Sequence, residues 1–207
     1  MIGELAAVAL GAYLLGSIPS GYLLGLLYRV DVREQGSGNI GATNVARSVG
    51  PSAGVATLAI DMAKGALPVL LVTGLELLSS AQPAALTRAR VVAAVAAVCG
   101  HIFSVFLRFR GGKGVATTLG ALLALAPSAA LGTVLAFAGV LAATRIVSLA
   151  SLVAAVAAPL CTLSLGFPPG VSLAAALLAG LVVLRHRDNL SRLLAGTEPR
   201  IGRGQKS

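Results

Sequence analysis

Two glycine-rich loops hold the residues best suited to chemistry: Gly36-Ser37-Gly38-Asn39-Ile40-Gly41-Ala42-Thr43-Asn44 and Arg108-Phe109-Arg110-Gly111-Gly112-Lys113-Gly114. Glycine lets an anion approach backbone N–H groups, and fixed positive charge nearby balances a phosphate oxygen. In the first loop Ser37, Asn39, Thr43 and Asn44 add side-chain donors to the exposed amides, and Arg47 follows Thr43 by one helical turn. In the second, Gly111, Gly112 and Gly114 flank Lys113, and Thr117 and Thr118 open the next segment. Anion binding explains this composition better than plain linkage does. The spacing of Gly36, Gly38 and Gly41 fits G-x-G-x-x-G, but no strand precedes it and no βαβ unit fits, which weighs against a dinucleotide site. The second loop lacks the Walker A spacing.

Other polar groups stand inside or beside apolar runs. Asp61 and Lys64 lie three residues apart on one helical face; ionisable groups in such runs are rare and usually paired, so they read as a structural ion pair. His186 and Asn189 share a face in the same way, bracketed by Arg185 and Arg187, and lean toward function. His101 reads as structural. Neither histidine is followed by an acid at the H-x-x-x-x-D spacing, since Phe106 and Ser191 occupy those places. That argues against acyltransferases in which a His–Asp pair activates the acceptor hydroxyl. Arg108 and Arg110, interleaved with Phe103, Phe106 and Phe109, suit an interfacial anchor as well as a ligand. Cys99 and Cys161 read as small buried hydrophobes, and no C-x-x-C or His/Cys cluster suggests a metal. No cofactor is implied.

The elements that must position these groups are membrane spans. The 207-residue chain is 57% hydrophobic and 11% charged, with a mean hydropathy of +0.91, more apolar surface than a soluble domain of this size hides. Runs of about 20 apolar residues cross hydrocarbon. They are expected at 4–28, 52–78, 89–109, 115–143, 146–165 and 171–184. Helices are required, because an open sheet edge cannot sit in lipid. Ser17-Ile18-Pro19-Ser20-Gly21 reads as a proline kink near the end of the first run. That run is not a signal peptide: Glu4 replaces a basic leader and the apolar stretch continues past Pro19.

The net charge of +9 sits in short loops and a tail, where it sets orientation and meets anionic headgroups; it is no nucleic-acid signature. Arg29, Arg33 and Arg47 fall in one loop, Arg108, Arg110 and Lys113 in another, and Arg185, Arg187, Arg192, Arg200, Arg203 and Lys206 in the tail. Segment 79–88 holds only Arg88, and 166–170 holds no charge. The N-terminus is therefore expected outside and the C-terminus in the cytoplasm. A single crossing by 115–143 would put the tail outside, so this run must break at Pro127 into two short helices of about 12–15 residues, a hairpin within the membrane. The expected fold is a single all-α integral membrane domain over 1–207 with about seven helices. Both glycine loops, Arg145, Ser148 and the tail then share the cytoplasmic face.

Six stretches in order then carry a resemblance: Gly16-Ser17-Ile18-Pro19-Ser20-Gly21; Gly36 to Val45; Asp61-Met62-Ala63-Lys64-Gly65; Gly100-His101-Ile102-Phe103; Phe109-Arg110-Gly111-Gly112-Lys113-Gly114-Val115-Ala116-Thr117; and His186-Arg187-Asp188-Asn189-Leu190-Ser191-Arg192-Leu193-Leu194. Together they resemble the PlsY family of bacterial acyl-phosphate:glycerol-3-phosphate acyltransferases. The resemblance implies a seven-helix enzyme of the bacterial cytoplasmic membrane, its active site facing the cytoplasm. It would transfer an acyl group from acyl phosphate to glycerol-3-phosphate, giving lysophosphatidic acid and inorganic phosphate, the first acylation of phospholipid synthesis. It also implies a functional link to the enzyme that makes acyl phosphate, with neither acyl-CoA nor acyl-carrier protein as direct donor. Ser37, Arg47, Lys113, Ser148, His186 and Asn189 match residues that bind substrate phosphates or assist transfer, with catalytic roles for Lys113, Ser148, His186 and Asn189. Gly38, Asn39, Gly41, Thr43 and Gly112 match phosphate-binding positions. Ser104, Arg108 and Arg110 depart from the family's usual proline and lysines, and Ile146 stands where an aromatic is common. The alternative is a transporter of an organic phosphate, which broken helices and an intramembrane Asp61/Lys64 pair also suit; the lack of an internal repeat and the gathering of polar groups at one rim favour the enzyme.

Overall fold

A computed structural model of the chain describes residues 2–74 and 82–202. The end of the second expected span at 75–78, the start of the connection at 79–81, and Arg203 and Lys206 of the tail lie outside them. All regular structure among the described residues is helical: α1 (Ile2–Ser17), α2 (Ser20–Leu27), α3 (Ala42–Ser48), α4 (Pro51–Gly74), α5 (Pro83–Ile102), α6 (Val115–Leu125), α7 (Pro127–Thr144), α8 (Val147–Ser164), α9 (Pro169–Arg185) and α10 (Arg187–Leu194), with a 3-10 turn at Val105–Leu107.

Local chemistry sets the boundaries. Pro51, Pro83, Pro127 and Pro169 each begin a helix, where the missing N–H is no loss and φ is already suitable. Pro19 separates α1 from α2. Among the described residues, counting those two as one broken span, five helical spans are long and apolar enough to cross a bilayer; α9 with α10, bent by 62°, makes a sixth, and the apolar α6 is shorter. Exposed side chains such as Leu27, Leu135, Leu160 and Leu163 are what a helix facing lipid presents. The break at Pro127 forms, but only one of the two helices beside it is short. α6 has 11 residues and α7 has 18. Proline at a first position starts a helix without kinking it, so the apolar run continues unbroken until Arg145 turns left-handed (φ 59°).

The chain forms two compact units, Met1–Leu125 and Ala126–Ser207. In the first, α1 packs on α5, α4 on α5 and α6, and α3 on α4. Glycine makes these contacts close: a methyl at Gly65 would strike the Thr117 carbonyl oxygen, and one at Gly120 that of Met62. Helices in lipid associate through such backbone approach, because burying leucine from leucine-like tails gains little. Where α6 stops, Arg90 Nη2 donates to the Ala124 carbonyl at 2.6 Å, satisfying a helix-end oxygen that has no acceptor role left within the helix. In the second unit α8 packs on both α7 and α9. The segment after α10 turns back, and Ile201 N donates to Arg145 O at 2.8 Å.

Candidate active site

In the first loop Gly36 and Gly38 take positive φ values of 56° and 67°, the left-handed region that glycine enters without penalty. Buried Asn44, in the first turn of α3, fastens the loop. Its Nδ2 donates to Val32 O at 2.9 Å and Gln35 O at 3.1 Å, and its Oδ1 accepts from Ser37 N at 3.0 Å. Asn39 Oδ1 accepts from Gly41 N at 2.8 Å, and Gly38 N donates to Gln35 O at 2.9 Å. The amides of Ser37, Gly38 and Gly41 are thus committed inside the loop, as is the Asn44 side chain. A loop with no strand or helix to satisfy its backbone satisfies it internally. Ser37, Thr43 and Arg47 are exposed, with Thr43 and Arg47 one turn apart on α3. Arg33 is held elsewhere: its Nη2 lies 2.6 Å from Asp31 Oδ2, and its guanidinium carbon 4.2 Å from the Tyr22 ring centroid. Hydrogen bonding from Arg33 lowers the Asp31 carboxyl to about 2, and the same bond raises Arg33. Arg47 is therefore the better anion ligand of the two.

The second loop is folded back onto the end of α5. Arg108 and Phe109 both take left-handed φ, 51° and 64°, and reverse the chain. Gly111 N then donates to Ile102 O and Gly112 N to His101 O, each at 3.1 Å. Half-buried Lys113 follows immediately, just ahead of α6, whose first-turn N–H groups point back toward it.

The first loop borders the α1–α2 break, and the segment leading from α5 toward the second loop is tied to the end of α1. Gly21 lies against the Ile40 carbonyl and Val45, and Ser104 Oγ donates to Ser17 O at 2.6 Å. Behind the break, Asp61 and Lys64 form a buried ion pair, Nζ to Oδ1 2.9 Å. Lys64 Nζ also donates to Ile18 O at 2.7 Å, which accepts the Ser20 N–H at 3.0 Å as well. Ser20 Oγ donates to Asp61 Oδ1.

In the second unit Ser148 opens α8, and His186 makes the corner between α9 and α10. His186 Nδ1 lies 2.7 Å from Val182 O; a carbonyl can only accept, which puts the proton of the neutral ring on Nδ1. Asn189 Nδ2 donates to Glu198 Oε1 at 2.5 Å, and Arg192 Nε to Glu198 Oε2 at 2.7 Å. Burial pushes the Glu198 carboxyl up. The Ser148 hydroxyl beside it and the hydrogen bonds from Asn189 and Arg192 outweigh that and hold it below its usual value.

Residues 6–196 match the family profile described as glycerol-3-phosphate acyltransferase. The chain belongs to that family, the PlsY acyltransferases. It is 51% identical to the glycerol-3-phosphate acyltransferase of Trichlorobacter lovleyi over 188 residues, covering 91% of this chain and 93% of the relative. With that of Rippkaea orientalis it shares 48% identity over 197 residues, 92% of this chain and 89% of the relative. The crystal structure of PlsY, an integral membrane glycerol 3-phosphate acyltransferase, in its glycerol 3-phosphate form superposes with a TM-score of 0.87 at 40% identity, covering 96% of each chain. The lysophosphatidic acid form gives 0.85 at the same identity and coverage. The chain is thus a multi-pass membrane acyltransferase, and the transporter reading falls with that assignment.

Across this PlsY-family chain the expected site residues fall into two groups. Ser37, Gly38, Asn39, Gly41, Thr43, Arg47, Gly112 and Lys113 lie in the first unit, around the broken helix. Ser148, His186 and Asn189 lie in the second, where Asn189 bonds to Glu198 and the Ser148 hydroxyl lies beside it. Sequence reasoning missed Glu198. Its signal was a lone acidic side chain beyond α10, in a tail otherwise charged by Arg200, Arg203 and Lys206, which invites the question of what it pairs with.

Proposed function

We propose that this chain acylates glycerol-3-phosphate from acyl phosphate, giving lysophosphatidic acid and inorganic phosphate, as the first acylation of phospholipid synthesis. What carries the reading is Lys113, seated ahead of the α6 N-terminus by the Gly111 and Gly112 backbone bonds onto the end of α5. Cation, helix dipole and hydroxyl side chains there suit a phosphorylated substrate.

Acyl phosphate is already activated, so the enzyme needs orientation and charge neutralisation more than a strong nucleophile. Arg47 and Lys113, with the Ser37 and Thr43 hydroxyls, would hold the two phosphates. Ser148 and Asn189 would place the glycerol hydroxyl or the reacting carbonyl, with Glu198 orienting the Asn189 amide. The hydroxyl oxygen bonds to the acyl carbon, the carbon–oxygen bond to phosphate breaks, and phosphate leaves with the electron pair. A substrate phosphate oxygen takes the hydroxyl proton. The acyl tail would lie between helices, both units serving one domain over 1–207. The same reading places the N-terminus outside a bacterial cytoplasmic membrane, the glycine loops and tail inside, and an acyl-phosphate-forming enzyme upstream.

The test is phosphate release by the purified protein from acyl phosphate and glycerol-3-phosphate, with acyl-CoA and acyl-carrier protein thioester as competing donors. Release from acyl phosphate alone is expected; preference for a thioester refutes the donor assignment. Lys113→Ala should lose about a hundredfold or more in turnover while staying folded. His186→Gln should stay within a few-fold if a substrate phosphate is the base, and a loss of about a hundredfold or more would give His186 that role instead.

A further inference from the structure

The mechanism above leaves the buried histidine of α5 unused. His101 lies in the last turn of α5 and is 3% exposed. Its two ring edges meet two different things. Nδ1 faces Asp61 Oδ1 at 3.5 Å, and the Nε2 edge lies against Gly112 so closely that a methyl group at 112 would strike it. The backbone repeats the connection, because the His101 carbonyl accepts the Gly112 N–H. Gly112 immediately precedes Lys113. Asp61 is itself fixed by Ser20 and Lys64, so its carboxylate cannot follow a drifting ring.

We infer that Asp61 and His101 are a positioning pair that seats the Gly111–Gly112 turn and so sets the reach of Lys113. The inference rests on Lys113 serving the proposed reaction. An aspartate that fixes an imidazole's orientation is a familiar physical device. Here the oriented ring acts as a rigid wall against a backbone, and neither residue touches substrate. Only glycine fits at 112 while the ring holds this place. A bulky, flexible or differently oriented side chain at 101 leaves the turn free to shift, and displacements of about an ångström suffice to lower rates by about a hundredfold.

The experiment is a double-substitution cycle on the full-length protein in detergent, read as kcat and KM with thermal unfolding as the folding check. Gly112→Ala should lower kcat/KM by about tenfold or more, and the same change on a His101→Ala background should cost far less, because the colliding ring is gone. His101→Gln and Asp61→Asn should lower kcat/KM by about tenfold at near-native melting temperature, with His101→Asn, which keeps a donor toward Asp61, losing less. Independent, multiplying effects at 101 and 112 would overturn the inference. So would His101→Gln with native kcat and KM beside an inactive Lys113→Ala, an outcome that leaves the proposed function standing. Failure of His101→Gln and His101→Asn alike to fold would also overturn it, making the pair a folding element. Native turnover in Lys113→Ala would instead remove the proposed role of Lys113, and this inference with it.

Discussion

Single side chains here divide between those that build loops and those that face outward. Asn44 and Ser37 are seven apart in a loop that looks uniformly suited to phosphate, yet one is buried against three backbone groups and the other is exposed. Glu198 is the clearest case of a residue whose charge matters for structure. Its carboxyl titrates below the usual 4.5, so the folded state favours the ionised form. That contribution is complete above the unfolded value near 4.5 and is lost as pH falls through the lower folded value. Melting temperatures of wild type and Glu198→Gln should therefore differ at pH 7 and converge as the pH is lowered below 4.5. A gap that stays constant across that range would show that the charge of Glu198 contributes nothing.

Helices bring a second kind of constraint, set by how closely their backbones approach. The α4–α6 contact depends on Gly65 and Gly120 offering no side chain to the carbonyls of Thr117 and Met62. Gly120→Val should overpack it and destabilise the protein by about 1–3 kcal/mol, seen as a lower melting temperature in detergent. Arg90 makes a separate contribution at the far end of α6. Arg90→Met keeps the apolar stem but leaves the Ala124 carbonyl without its donor, a loss of about 1–3 kcal/mol for an unsatisfied buried acceptor. If R90M melts at the native temperature, the end of α6 is capped by something else. Neither contact was legible in sequence, since each joins groups remote in the chain, Gly65 with Thr117 and Arg90 with Ala124.

The whole molecule raises the question of sidedness. Its basic residues cluster in the connections that hold the two glycine loops and in the tail, and the first loop borders the α1–α2 break. In a background lacking Cys99 and Cys161, cysteines at positions 39 and 113 should react with an impermeant thiol reagent from the same, cytoplasmic side of the membrane. Labelling from opposite sides would contradict the proposed function at its root.

How much of this was readable beforehand follows from the range of the forces involved. Span composition, the break at Pro127 and the family motifs are local or one-dimensional properties. Lipid solvation and proline's fixed φ act on a residue whatever its distant neighbours do. The spacing of Asp61 and Lys64 placed them on one face for the same reason. What folding alone decided are pairings between groups remote in the chain: Lys64 with the Ile18 carbonyl, Asp61 with Ser20 and His101, Asn189 with Glu198, and the return of Gly112 onto His101. A hydrogen bond is short and directional. Which donor meets which acceptor is settled only once the helices have packed and every other buried polar group has found its partner.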